Sequence, residues 1–445
     1  MEATISVPAY HRRERWAWYL YDFGNSAYAA VVLLAVYATY FKDQVVGGAN
    51  GSRLWGLSVG IAMLIVAITS PILGSIADFS GAKKRFLFFY TAMACLFTAM
   101  LFFVQQGDVL MGMVLFILAE TGYRSAQVFY NALLPEITPE EDLGRVSGAG
   151  WAIGSVGGIV CLLLILALIQ LIGGSLIVRA SLVITAAFFA TFATPLFMWL
   201  RERAQAQPLP AGESYLTVGF KRLWRTFKRV RHFREFIKFF IAFLIYNDGI
   251  IMTLNFAAIL GQELFGLDQQ QLILFVILVQ ATSVGGAYIF GLLAHHSSCK
   301  RALILSNLLM IGAAIWLYFN NSSTGFFIIG AVAGFALTGV QSVSRSMVGI
   351  LSPPGRSAEF YGFFATAGRT SSFIGPTVYG WVAAEAALWY ESQGQTALQA
   401  EQSGLRLAIF AIVGFLVLGL VFLSWVNETQ GRAAAKQQPY LANTQ

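Results

Sequence analysis

Long apolar runs recur along almost the whole chain, and they constrain its fold more than any other feature. Each run approaches the ~20 residues that a helix needs to cross the ~30 Å hydrocarbon core of a bilayer. Only 11% of the 445 residues are charged, whereas soluble globular chains carry about 25% charged residues. Continuous runs also argue against a membrane β-barrel, whose strands alternate. The sequence therefore predicts an all-α polytopic membrane protein.

We predict twelve membrane-spanning helices. Lys and Arg residues number 21 in the segments on the side of the N-terminus and 4 on the opposite side. Because an excess of loop cations marks the cytoplasmic side, both termini are expected in the cytoplasm. The predicted spans are residues 16–41, 55–77, 86–104, 109–131, 147–171, 177–200, 235–260, 271–294, 302–319, 325–350, 360–385 and 404–426.

The spans divide into an N-terminal half, a basic cytoplasmic linker, a C-terminal half and a cytoplasmic tail. These segments are residues 1–200, 201–234, 235–430 and 431–445. Phe220, Trp224 and Phe227 are interspersed with cations in the linker, which predicts an amphipathic helix on the inner membrane surface. A nucleic-acid site is the alternative interpretation of this charge. Basic inner loops are what the topology requires, so we expect a lipid bilayer and no nucleic acid as partner.

A charged turn follows the second predicted span and returns, less completely, in the second half. Gly74 and Gly81 allow a tight turn, Asp78 stands where a helix ends, and Lys83 and Lys84 follow. The two copies read GSIADFSGAKKR at residues 74–85 and GLLAHHSSCKR at residues 291–301. Such repetition indicates two six-helix halves related by an axis along the membrane normal.

Polar side chains inside the predicted spans concentrate on spans 1, 4, 7 and 10. A charged side chain in hydrocarbon is unfavourable by about 2.5–3.5 kcal/mol and therefore usually faces an interior cavity. The four polar positions of span 4 share one helix face because they are spaced four, three and four residues apart. The predicted cavity residues are Asp22, Asn25, Tyr28, Glu120, Arg124, Gln127, Asn131, Asn247, Asp248, Asn255, Gln341, Ser344, Arg345 and Arg369.

Two carboxylates near the middle of their spans, Glu120 and Asp248, are candidate sites for a coupling proton, because low dielectric disfavours the charged form of a carboxylate. Arg124 or Arg345 would then pair with a carboxylate of the substrate. One alternative remains open: Glu120 and Arg124, four residues apart, would merely neutralise each other. Arg369 is either a partner of Asp248 or a structural tie.

Signatures of soluble enzymes are missing from the sequence, which contains no HExxH motif, no Walker A loop and no paired CxxC. The three cysteines lie far apart, so neither a disulfide framework nor a metal cluster is expected. We expect no enzymatic activity, no catalytic residue, no metal and no cofactor. The expected coupling partner is a proton or another ion.

Seven motifs, in order along the whole chain, resemble those of the vacuole-effluxer (autophagy-related, Atg22-like) family of major facilitator transporters. They are WYLYDFGNSAY at residues 18–28, NALLPE at 131–136, SGAGWAIG at 147–154, YNDG at 246–249, QSVSRS at 341–346, EFYGF at 359–363 and SSFIGP at 371–376. The turn at residues 74–85 also resembles the cytoplasmic turn between helices 2 and 3 of major facilitators.

The resemblance implies the major facilitator fold, with helices 1, 4, 7 and 10 lining a central cavity, and a secondary transporter that works by alternating access. Fungal members are associated with amino-acid export from the vacuole, so an amino acid is the leading substrate. In the family's motif the aspartate at position 78 acts as a gate by meeting the N-terminus of helix 11, near residues 359–360. The alternative is simple capping of its own turn.

Two other functions remain open, namely multidrug-type efflux and a non-transporting receptor or scaffold on the same fold. A cavity with opposed charges suits a zwitterion better than an apolar cation. The compact chain favours a bacterial inner membrane, where we expect a monomer that binds a small-molecule substrate.

Overall fold

A computed structural model describes residues 12–79, 81–138, 143–203, 217, 221, 224, 228, 232–353, 360, 363, 364, 368 and 372–437. Within these residues all regular structure is helical. The described helices of ten or more residues are α1 (Arg12–Val46), α2 (Gly48–Phe79), α3 (Lys83–Met100), α4 (Val109–Ala132), α5 (Leu143–Ile172), α6 (Ser175–Trp199), α7 (Arg234–Phe265), α8 (Gln269–His296), α9 (Cys299–Phe319), α10 (Ser323–Leu351), α11 (Ile374–Ser392), α12 (Ala397–Ser424) and a short α13 (Glu428–Gln437).

Eleven of the described helices, α1–α10 and α12, are long and apolar enough to cross a membrane. The predicted eleventh span begins in a segment of which the structure describes only four residues, all of them helical: Phe360, Phe363, Phe364 and Gly368. The polytopic helical class is therefore confirmed, while the count of twelve spans stays a prediction.

The predicted eleventh span is not one uninterrupted helix. Ser372 and Phe373 form a turn, and α11 begins at Ile374 and extends to Ser392. Pro376 lies in the first turn of α11, where its missing amide hydrogen leaves no bond unmade, whereas in a helix interior it would remove one. The break in this span is thus explained by its proline.

The first span was predicted to end at residue 41, which is too early. α1 continues to Val46 and changes from α-helical to π-helical geometry at Ala29–Ala35 and again at Phe41–Val46. Single π turns inside helices occur often at functional sites. The extra residues place Lys42 in a helix, with 2% of its surface exposed, and not in the outer loop that the sequence suggested.

Helices α1–α6 and α7–α12 form two groups with the same internal packing. In the first group α1 packs on α5 and α6, α4 packs on α2 and α3, and α3 packs on α6. The helices six positions later repeat each of these pairs. Between the groups, α2 packs on α11 and α5 packs on α8. The predicted pseudo-symmetric halves are present in the structure.

The two charged turns occupy equivalent places in these groups. The backbone amide of Lys83 donates to Glu202 Oε1 at 2.6 Å, and that of Lys300 donates to Glu428 Oε2 at 2.9 Å. Glu202 follows α6 and Glu428 follows α12, and a carboxylate is favoured at a helix N-terminus. Burial raises the pKa of Glu202, although the amide groups of Lys83 and Lys84 oppose that rise. Each turn is thus tied to the end of its own half.

Between residues 203 and 232 the linker is described at four positions. Residues 217, 221, 224 and 228 are helical and exposed, and their spacing places them on one helix face. The remainder of the predicted amphipathic helix lies outside the described residues. The boundaries of the four predicted segments stay predictions.

Candidate substrate site

The Glu120–Arg124 pair lies where α4 meets α1. Arg124 Nε donates a hydrogen bond of 2.7 Å to Glu120 Oε1, and the Glu120 side chain is fully buried while Arg124 keeps 21% of its side-chain surface accessible. Tyr28 of α1 lies beside Glu120 and stacks on Tyr123, with 4.4 Å between the ring centroids. One carboxylate is thus held between a guanidinium and a phenol.

Several buried oxygen atoms around this pair lack a normal hydrogen bond. Glu120 Oε2, the Tyr28 hydroxyl and Asn25 Oδ1 have no hydrogen bond of ordinary geometry among the described residues. Buried polar groups in folded proteins are nearly always hydrogen-bonded to protein or water. These three atoms therefore mark a place where water or a polar ligand can bind.

Asp22 lies nearer the N-terminus of α1 and faces two other helices. Its carboxylate rests against Gly154 of α5, where an added Cβ would come within 2.7 Å of Asp22 Oδ2, so glycine is needed for this close approach. Asn25 contacts the carboxylate, and the guanidinium of Arg345 on α10 attracts it. Asp22 and Arg345 therefore carry opposite charges on different helix groups and attract each other.

In the second helix group, Asn247 and Asp248 of α7 face the start of α11. Asn247 Nδ2 donates to Ser372 Oγ at 3.2 Å, and the amide N–H of Gly375 faces the Asp248 carboxylate. Asp248 is 2% exposed, and its Oδ1 has no partner among the described residues. Unpaired amides at a helix N-terminus favour a carboxylate. Asp248 therefore caps α11 and retains one free acceptor.

Some predicted cavity residues already form hydrogen bonds with neighbouring residues, and others lie at the surface or outside the described residues. Ser344 of α10 exchanges a hydrogen bond of 2.7 Å with the hydroxyl of Tyr246. The amide of Asn255 donates to the carbonyl of Ile251 on its own helix at 2.8 Å. Of the others, Gln127 and Gln341 are half-buried, Asn131 is exposed, and Arg369 lies outside the described residues.

The predicted gating turn is described only in part. Gly74 and Asp78 belong to the last turns of α2, where the structure describes no side chains, and residue 359 is not described. The predicted contact of Asp78 with helix 11 therefore lies outside the described residues. Gly81 has a φ of +57°, which is the left-handed conformation that glycine adopts without strain.

The two lysines of that turn hold the first helix group together. Lys83 Nζ donates to Glu136 Oε1 at 2.6 Å, and Lys84 Nζ donates to the Leu200 carbonyl at 2.7 Å. Both partners belong to the same six-helix group. These contacts support a structural role, and a gating role stays a prediction.

Sequence reasoning missed two polar residues of the interior. Tyr123 lies 5.3 Å beneath the guanidinium of Arg124. Gln280 of α8 reaches α5, where a Cβ on Gly158 would lie 3.0 Å from Gln280 Oε1, and its buried Nε2 has no partner among the described residues. A single amide inside the apolar eighth span was a visible signal for Gln280. Tyr123 gave no such signal, because tyrosines are common in helices of every kind.

The described interior thus presents opposite charges and free hydrogen-bonding atoms from both helix groups. Glu120 and Arg124 belong to the first group, Asp248 belongs to the second, and Asp22 faces Arg345 between them. A lining of a few convergent polar groups in an apolar setting is typical of small-molecule sites. Within the described residues no three His, Cys, Asp or Glu side chains are arranged to hold a metal ion.

Relatives of known sequence share most of this chain. It is 28% identical over 433 residues to an uncharacterized MFS-type transporter, YxiO, of Bacillus subtilis (strain 168), and the match covers 95% of this chain and 96% of that protein. It is 23% identical over 403 residues to autophagy-related protein 22 of Coccidioides immitis (strain RS), with 72% of this chain and 66% of the fungal protein covered.

Solved structures share the fold at low sequence identity. A D-xylose–proton symporter superimposes with a TM-score of 0.70 at 12% identity, over 95% of this chain and 99% of the symporter. A bacterial homolog to the human lysosomal transporter Spinster, inward-facing and unoccupied, gives 0.68 at 14% identity, over 96% and 98% of the chains. The fold is that of the major facilitators. A profile of the family described as vacuole effluxer Atg22 like matches residues 54–436. The chain therefore belongs to the vacuole effluxer Atg22-like family of major facilitator transporters.

Proposed function

We propose that this protein is a secondary active transporter that moves a small polar solute, with an amino acid as the leading candidate, by proton-coupled alternating access. The observation that supports the solute class is the charged lining of the interior. Arg124 keeps 21% of its side-chain surface accessible, and Glu120 Oε2 lacks an ordinary hydrogen bond among the described residues. A molecule with both an ammonium and a carboxylate group can satisfy such a lining at both ends. An apolar cation would leave Arg124 unused.

Asp248 is the better candidate for the coupling proton. Glu120 is already paired with Arg124, whereas Asp248 forms no ion pair among the described residues and faces only the amide of Gly375. A carboxylate without a compensating cation changes its protonation more readily when its access to water changes. In this proposal Arg124 receives the substrate carboxylate, and Asp248 gains and loses the proton.

The test is the internal pH of sealed proteoliposomes while single amino acids are added outside. We expect a substrate-dependent pH change that is lost in Asp248→Asn, because asparagine still caps α11 but cannot exchange a proton. Asp108→Asn is the matched control, since Asp108 is an exposed carboxylate in the turn before α4. It is expected to behave as wild type.

Two results would count against this proposal. A wild-type pH response in folded Asp248→Asn removes Asp248 from the coupling step. The absence of any response to the amino acids in the wild-type protein contradicts the substrate class and favours multidrug-type efflux or a non-transporting role.

The loop charges also support an orientation. We propose that the described ends at Arg12 and Gln437 face the cytoplasm, and that the protein works as a monomer in a bacterial inner membrane. The excess of cations in the segments on the N-terminal side supports this orientation.

A further inference from the structure

A buried lysine lies at the end of the bundle opposite the charged turns. Lys42, in the last π turns of α1, is 2% exposed. Its Nζ lies 2.9 Å from Asp43 Oδ1 and 2.5 Å from Glu401 Oε1, and it also contacts Glu263 Oε1. We call Lys42, Asp43, Glu263 and Glu401 the Lys42 cluster. Each of the three carboxylates is less than one-fifth exposed.

The Lys42 cluster joins the two helix groups. Lys42 and Asp43 belong to α1, whereas Glu263 lies in the last turn of α7 and Glu401 lies in the second turn of α12. Those three carboxylates are the charged groups that face the lysine from the described elements packed on it. A nearby bond also crosses the groups, since Gln269 Nε2 donates to the Ala35 carbonyl at 2.7 Å. The closed arrangement at this end is therefore shared by both halves.

The local backbone is shaped to receive the lysine. Gly51 in the second turn of α2 lies against it: an added Cβ there would come 2.4 Å from the Lys42 carbonyl oxygen and 3.0 Å from its Cγ. A glycine at this place allows α2 to pack on the lysine stem. The stem is therefore enclosed by α2, while the ammonium is directed towards α7 and α12.

The burial of these ion pairs makes this contact strong, and hydration of the separated charges makes it reversible. Removing one member of a buried ion pair strongly destabilises a structure, because the remaining charge is left buried and uncompensated. When the halves separate, water can hydrate all four charged groups again. An apolar interface would gain no such favourable hydration on opening. Ion pairing at this place therefore suits a contact that has to form and break repeatedly.

We propose that the Lys42 cluster is an ionic latch that closes this end of the central passage and has to break in each cycle of alternating access. The inference rests on the proposed transport function, because a latch matters only where the halves move. The loop charges predict this end to be the outer one. The latch then holds the state in which the passage is shut on the outer side.

A second ion pair on the same interface provides a contrast. Arg53 of α2 bonds to Glu385 of α11, but the two side chains are 27% and 52% exposed. Exposed pairs contribute little to stability, because water solvates both charges in either state. Loss of this pair should therefore leave the closed state almost unchanged, which makes Glu385→Gln the matched control for Glu401→Gln.

The experiment measures how often this end opens, without using transport. Ser52 of α2 is 1% exposed, and its backbone carbonyl packs closely against α11, so Ser52→Cys reports separation of the halves. The variant carries serine at the three native cysteines and is purified in detergent. The rate of its reaction with a water-soluble maleimide is then compared among latch variants. Since no substrate is needed, failure of the latch and failure of the proposed function remain distinguishable.

We expect Lys42→Met to raise the labelling rate by roughly tenfold or more, because three carboxylates then face one another without their cation. Glu401→Gln keeps the side-chain shape and is expected to raise the rate severalfold. Glu385→Gln is expected to change it by less than about twofold. If Lys42→Met does not give a monodisperse protein, the labelling rate of Glu401→Gln alone tests the latch. A folded Glu401→Gln protein that reacts no faster than Glu385→Gln would overturn the latch.

Discussion

At the residue scale, two buried tyrosines hold the helices that carry the acidic residues. Tyr21, next to Asp22 on α1, exchanges a hydrogen bond of 2.7 Å with Thr91 of α3. Tyr246, two residues before Asp248 on α7, makes a bond of the same length with Ser344 of α10. Both phenols are fully buried. A buried hydroxyl bonded to a neighbouring helix fixes the rotation of its own helix, and therefore the direction in which the nearby carboxylate points.

Replacement of one such hydroxyl tests its contribution. Tyr246→Phe removes the bond to Ser344 while keeping the ring, so we expect a loss of about 1 kcal/mol in the free energy of unfolding and a lowering of Tm by about 1–3 °C. The measurement is thermal unfolding of the detergent-purified protein. Tyr288→Phe is the control, because Tyr288 is 74% exposed. Equal Tm values for the two variants would contradict the role of the Tyr246 bond.

Residues near each other in sequence were the easier ones to predict. The spacing of Glu120 and Arg124 indicated that they could pair, and they do. Lys42 looked like a loop cation because two of its partners, Glu263 and Glu401, lie more than two hundred residues away. The energetic reason to bury a lysine exists only once those carboxylates are brought to it by the fold. No local pattern contains that information.

At the element scale, α2 and α11 bring the backbones of the two helix groups close together. A Cβ added to Gly56 would come 2.4 Å from the carbonyl oxygen of Pro376, and one added to Gly380 would come 2.5 Å from that of Ser52. Small residues at helix interfaces in membranes allow backbones to approach and pack closely. The break before α11 also puts Gly375 in position to bond to Asp248. The start of α11 is thus held by α7 on one side and by α2 on the other.

A methyl group at this contact should force α2 and α11 apart. We expect Gly56→Ala to raise the labelling rate of the Ser52→Cys reporter, because the obstructing atom is a backbone oxygen that has little freedom to move. Gly285→Ala in α8 is the control, since a Cβ there meets no atom within 4 Å. Labelling of Gly56→Ala at the rate of Gly285→Ala would show that the contact does not limit opening.

The start and end of each helix were less predictable than its existence. Hydropathy identified all eleven described helices that are long enough to span a membrane. It does so because a bilayer leaves the backbone no alternative to internal hydrogen bonds. The end of α1 and the turn at residues 372–373 escaped it. The end of α1 depends on the partners of Lys42, which are distant in sequence. The turn at residues 372–373 depends on the position of Pro376, to which a hydropathy average is insensitive.

At the scale of the whole molecule, the two groups of six helices repeat the same packing, and the polar interior lies between them. The repeat of the charged turn predicted this symmetry from the sequence, and the equivalent bonds of Lys83 and Lys300 show it in the structure. What the sequence could not supply is the depth and direction of each polar side chain. In the transport mechanism that we propose, the closed end at the Lys42 cluster and the α2–α11 contact belong to one conformation of the alternating-access cycle.

The most direct test of alternating access is a pair of distances measured in one protein preparation. In the cysteine-free variant, spin labels at Gln44 and Leu398 report the Lys42 end, and labels at Arg85 and Arg301 report the end with the charged turns; all four residues are exposed. On addition of an excess of mixed amino acids, we expect one distance to increase while the other decreases. Two distances that stay fixed, or that change in the same direction, would contradict a transporter whose two halves expose a central site to each side in turn.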